Sequence, residues 1–87
     1  MTSEEARRVL LQAMRYANVQ GLSSAQGEAF VAGEADIQLD RLDMDSLAAM
    51  ELCIAIEANG GASITPDQLK AAATGSALVR LILEPGD

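Results

Sequence analysis

The hydroxyl of Ser46 is the side chain of this sequence best placed to accept a covalent group. Asp45 before it reads as a helix N-cap, and a helical pattern runs from Ser46 to Asn59, so Ser46 falls in a first turn with its side chain pointing outward. There the free backbone N–H groups and the helix dipole favour an attached anion such as a phosphodiester. Other chemistry is short of residues. The chain has no histidine, which removes the commonest metal ligand and the usual partner of a nucleophilic serine or cysteine. The lone Cys53 has no partner for an internal disulfide, and it falls among apolar positions where a thiol is normally inert. Asp40, Asp43 and Asp45 cluster before a helix, as calcium ligands can, but the spacing fails. A loop starting at Asp43 puts Leu47 and Ile54 at its fifth and twelfth positions, and one starting at Asp40 puts Leu42 and Met44 where oxygen ligands are needed. No catalytic residue and no metal site is therefore expected.

The elements that must position Ser46 are helical. Thr2-Ser3-Glu4-Glu5 has the form of a capping box, and Val9, Leu10, Ala13, Met14 and Ala17 recur at helical spacing, which predicts a first helix over about 3–18. From 19 to 44 the pattern dissolves into glycine and serine, with only Glu28 to Val31 able to form a turn of helix, so a long loop is expected. The Ser46 helix should span about 46–59, stopped by Gly60-Gly61. Thr65-Pro66-Asp67-Gln68 is a second capping signature and opens a short helix over about 66–72. Thr74 caps a last helix over about 75–84 that carries Leu78, Val79, Leu81, Ile82 and Leu83 and stops before Pro85.

The Ser46 helix carries two apolar arcs. Ala49, Leu52, Cys53 and Ile56 fall in one, and Leu47, Met50 and Ile54 fall in another on the opposite side. A small bundle buries the first. The second is then a stripe edged by Glu51 and Glu57, of the kind that meets a partner surface.

With 87 residues, 49% of them hydrophobic, one domain over 1–87 is the expected organisation, too small for a large buried active site. One Phe, one Tyr and no Trp leave the core to aliphatic side chains and alanine, which suits closely packed helices. The net charge of −7 opposes binding to nucleic acid or an anionic membrane surface. No secretory signal or membrane span is visible, so a cytoplasmic protein is expected. Residues 34 to 57 concentrate the charge, with Glu34, Asp36, Asp40, Asp43, Asp45, Glu51 and Glu57 against Arg41 alone. Basic partner surfaces should be drawn there.

Leu42-Asp43-Met44-Asp45-Ser46-Leu47, then Glu51-Leu52, Glu57, Ile64 before a short capped helix, and Thr74 opening a final helix with Leu78 and Ile82, closely resembles the acyl carrier protein family. The resemblance implies an all-α four-helix bundle with three longer helices, one short helix and a long loop between the first two. It implies a free-standing carrier, not an enzyme, that holds a biosynthetic intermediate as a thioester on a 4′-phosphopantetheine arm at Ser46. A phosphopantetheinyl transferase would attach the arm from coenzyme A. Acyl- or aminoacyl-loading enzymes and downstream synthase enzymes would then be its partners, met as a monomer through Asp45, Leu47, Met50, Glu51 and Ile54. The chain departs from the family where Asp43 replaces a frequent glycine, Arg41 an acid and Gly60 an aromatic residue. Those departures suit a specialised polyketide or fatty-acid-like pathway. The alternatives are an aminoacyl or peptidyl carrier of a nonribosomal peptide pathway and an unmodified carrier-like interaction module.

Overall fold

A computed structural model describes residues 2–17, 19, 21–42 and 44–84. The helix end expected at residue 18, the Asp43 carboxylate and the stop at Pro85 lie outside the described residues. The chain is all-helical, with α1 (Ser3–Tyr16), α2 (Ser24–Val31), a 3-10 turn (Leu39–Arg41), α3 (Ser46–Gly60), α4 (Pro66–Ala72) and α5 (Gly75–Leu83). Packing centres on α1, which lies against α3, α5 and α2.

Local chemistry sets most helix ends. Thr2 accepts from the Glu5 N–H at 3.1 Å while the Glu5 carboxylate accepts from the Thr2 N–H at 3.0 Å, closing the box that starts α1. The Thr2 N–H is the main reason the Glu5 carboxyl sits below its ordinary pKa. Thr65 and Gln68 form the same reciprocal pair at α4, and Thr74 accepts from the Ala77 N–H at α5. Gly61, at φ +74°, turns the chain out of α3 in the left-handed conformation that a side chain would resist.

The segment expected to be loop is more ordered than its glycines suggest. Ser23 and Gln26 form a third reciprocal box, and α2 runs for two turns where a single turn from Glu28 to Val31 was expected. Gly27, which reads as a helix breaker, is buried in that helix. A Cβ there would meet Leu11 Cδ1 at 3.0 Å, so its absence lets α2 close on α1.

Beyond α2 the chain is zipped to the α4–α5 junction. Gln38 and Thr74 form an antiparallel bridge, the Leu39 N–H donates to the Ala73 carbonyl at 2.9 Å, and the Gly75 N–H donates to the Ile37 carbonyl at 2.8 Å. Ile37, Leu39 and Phe30 thereby enter a core shared with Leu10, Met14, Leu52, Ile56, Leu69 and Leu78. Val9, expected on the buried side of the first helix, is only half-buried.

Candidate functional site

Asp45 takes the N-cap of α3 in extended conformation, and its carboxylate accepts from the Ala48 N–H at 2.8 Å. This bond fixes the first turn, so Ser46 opens the helix as its first residue, exposed to solvent. The Ser46 and Leu47 N–H groups ahead of Ala48 have no partner among the described residues, and with the α3 dipole they favour an anion at the serine oxygen.

Around Ser46 the two arcs of α3 separate cleanly. Leu52 and Ile56 are fully buried, and Ala49 and Cys53 nearly so, whereas Leu47, Met50 and Ile54 are 65%, 53% and 62% exposed. Ala55 joins the core, a position the arc reading leaves unassigned. Glu51 is half-buried beside the exposed stripe and Glu57 is exposed. Burial raises the Cys53 thiol pKa, which keeps it protonated and unreactive at neutral pH.

On another side of Ser46 lies an open cleft of about 510 Å³. Its walls are the 3-10 turn, the start of α3, α4 and Ala73, which contribute Leu39, Leu42, Met44, Ala49 and Leu69 as apolar lining and Asp40, Asp45 and Lys70 as charged groups. Sequence reasoning found Ser46 and Asp45 but not this cleft. Its apolar lining comes from two segments joined by the Leu39–Ala73 hydrogen bond, a contact between distant stretches of chain that no local pattern announces. Among the described residues no three His, Cys, Asp or Glu side chains gather as metal ligands, and no helix is long and apolar enough to cross a membrane.

Residues 28–82, more than half of the chain, match the family model described as the phosphopantetheine attachment site. No curated protein and no solved structure matches the chain. Domains of this family bear covalently attached 4′-phosphopantetheine, are not themselves catalytic, and work with a phosphopantetheinyl transferase and synthase enzymes. The residues here fit that group. An exposed hydroxyl stands at the head of a 15-residue helix, beside N–H groups that have no partner among the described residues and suit a phosphodiester, and beside an open cleft. By its matched sequence and its helical fold, the chain belongs to the phosphopantetheine attachment-site family of carrier proteins.

Proposed function

We propose that Ser46 Oγ is the hydroxyl that receives the 4′-phosphopantetheine arm from coenzyme A, and that the chain carries an acyl intermediate of a specialised polyketide or fatty-acid-like pathway. The observation that supports this best is the exposed Ser46 at the capped start of α3, next to an apolar cleft. When bound, the arm supplies the thiol that bears the thioester. Everything else asked of the chain is presentation and recognition. Asp45 holds the first turn so that Ser46 Oγ faces outward, and the N-terminal N–H groups of α3 favour the phosphodiester charge.

Recognition is assigned to the exposed stripe of Leu47, Met50 and Ile54 with Asp45 and Glu51 along it. Burying three large apolar side chains at an interface core provides contact energy, while the acids steer basic partners toward Ser46. On this reading the protein works in the cytoplasm as a monomer, meeting its transferase, loading enzyme and synthase in turn.

Incubation with coenzyme A, magnesium and a broad-specificity phosphopantetheinyl transferase should raise the intact mass by one phosphopantetheine. Ser46→Ala should take up nothing while keeping its helical circular dichroism, because an exposed side chain is altered. A labelled Ser46→Ala protein would end the assignment.

A further inference from the structure

We propose, on the reading that Ser46 receives the arm, that Arg41 is a specificity determinant of arm attachment: it disfavours a partner with a uniformly basic docking face and favours one that sets a carboxylate against the 3-10 turn. The seven acids between residues 34 and 57 attract any basic surface, so they speed encounter with many partners and select weakly among them. Arg41 is the one base in that stretch. Discrimination enters at the charge of opposite sign, because a cation set against it is repelled whatever the rest of the surface gains.

The turn holds Arg41 outward. The Arg41 N–H donates to the Gln38 carbonyl at 3.1 Å and the Leu42 N–H to the Leu39 carbonyl at 3.2 Å, while Leu39 is buried and Leu42 half-buried. Leu39, Asp40 and Leu42 line the cleft beside Ser46, whereas Arg41 does not line it and is exposed. Its guanidinium makes no ion pair with a described residue, Asp40 and Asp45 included, so its donors are open to a partner. Arg41 stands five residues before Ser46, at most about 18 Å along an extended chain, and its neighbours in the turn share a cleft with Ser46. A standard interface covers about 800 Å² per partner, a patch roughly 30 Å across. An enzyme seated on Ser46 therefore reaches the turn. Lys70, on the α4 wall of the cleft, is a point charge, but Arg41 has the planar fork that a carboxylate meets with two bonds.

The test measures arm attachment over ionic strength with coenzyme A, magnesium and a phosphopantetheinyl transferase whose docking face is basic, for wild type, Arg41→Gln, Arg41→Glu and Arg80→Glu. Arg80 is exposed in the last turn of α5, a helix whose first turn adjoins the segment before the 3-10 turn, so its reversal makes the same change in net charge away from the site. At low salt Arg41→Glu should be modified about three- to tenfold faster than wild type, Arg41→Gln should fall between the two, and Arg80→Glu should gain less than about twofold. The advantage should fade as salt rises. Reversing basic docking residues of the transferase to Glu one at a time should then find at least one that slows Arg41→Glu more than wild type, the coupling expected when a carboxylate faces Arg41. Equal gains in Arg41→Glu and Arg80→Glu, no gain in either, or no coupled reversal overturns the role of Arg41 and leaves the arm assignment standing. A wild-type chain that accepts no arm at Ser46 overturns both.

Discussion

The Asp36 carboxylate accepts a hydrogen bond at 2.9 Å from the backbone N–H of Ser76, forty residues away in sequence, and another at 2.8 Å from the N–H of Ile37. Ser76 lies in the first turn of α5, so Asp36 supplies that helix with a second cap beside Thr74, from a different part of the chain. One side chain thus ties the segment after α2 to the helix that completes the core. Asp36→Ala should lose about 1–2 kcal/mol, the upper range for a cap, when measured by urea denaturation at neutral pH. A loss no larger than that of Asp67→Ala, at an exposed position of α4, would reduce the bond to a surface contact.

Gly75 is required by space, not by backbone conformation. A Cβ there would stand 2.9 Å from Phe30 Cε1 and 3.3 Å from Ile37 Cβ, and Phe30 is buried with nowhere to retreat. Gly75→Ala should therefore destabilise by about 1–3 kcal/mol despite alanine's better helix propensity. Combining it with Phe30→Leu should recover part of that loss relative to the sum of the two changes. Strict additivity in a double-mutant cycle would show that the clash relaxes elsewhere.

The two arcs of α3 predict opposite behaviour under truncation. Leu52→Ala and Ile56→Ala empty fully buried positions and should each cost roughly 2–5 kcal/mol. Met50→Ala, at a half-exposed position, should change stability little and instead slow arm attachment or cargo transfer by partner enzymes. Comparable destabilisation at all three positions would return the outer stripe to the core.

Cys53 should be chemically silent in the folded state. Desolvation raises its thiol pKa, so the native protein at pH 8 should react with a thiol reagent far more slowly than the protein in guanidinium. The same shift links to stability. The neutral thiol is the form the fold favours, so its contribution is whole below the ordinary thiol pKa. Above that the unfolded chain releases a proton that the folded chain retains, and stability falls with rising pH. Cys53→Ser should show a shallower decline at alkaline pH, and a native thiol as reactive as the unfolded one would contradict the burial.

How far such behaviour could be read in advance depended on whether its causes were local. Thr2, Asp45, Thr65 and Thr74 each cap a helix through a partner three residues on, and such spacings are visible in a string of letters. Ser23 and Gln26 have the same spacing, yet Gly27 beside them reads as a breaker. Only the approach of Leu11 explains why glycine is needed inside α2. The burial of Ile37 and Leu39, the Asp36–Ser76 bond and the cleft containing Lys70 all depend on the pairing of 37–39 with 73–75. No periodicity encodes that pairing, because it joins segments brought together only by the completed bundle.

Glu51 is expected to act in recognition and not in chemistry. It lies about 140° from Ser46 around α3, half-buried at the edge of the stripe formed by Leu47 and Ile54, where a basic side chain of a docked enzyme could meet it. Glu51→Lys should slow arm attachment chiefly through encounter and docking, and the gap from wild type should narrow as salt rises. Reversing any surface acid lowers the general attraction to a basic partner, so Glu84→Lys, at the far end of α5, is the control that carries the same change in net charge. The measurement is a series of attachment rates over ionic strength for the wild type and both variants. A larger and more salt-sensitive loss in Glu51→Lys than in Glu84→Lys supports a local contact on α3. Equal losses would mean that only net charge matters, and no loss in either would leave the α3 acids as a solvated face and move the search for the partner surface to the segment between α1 and α3.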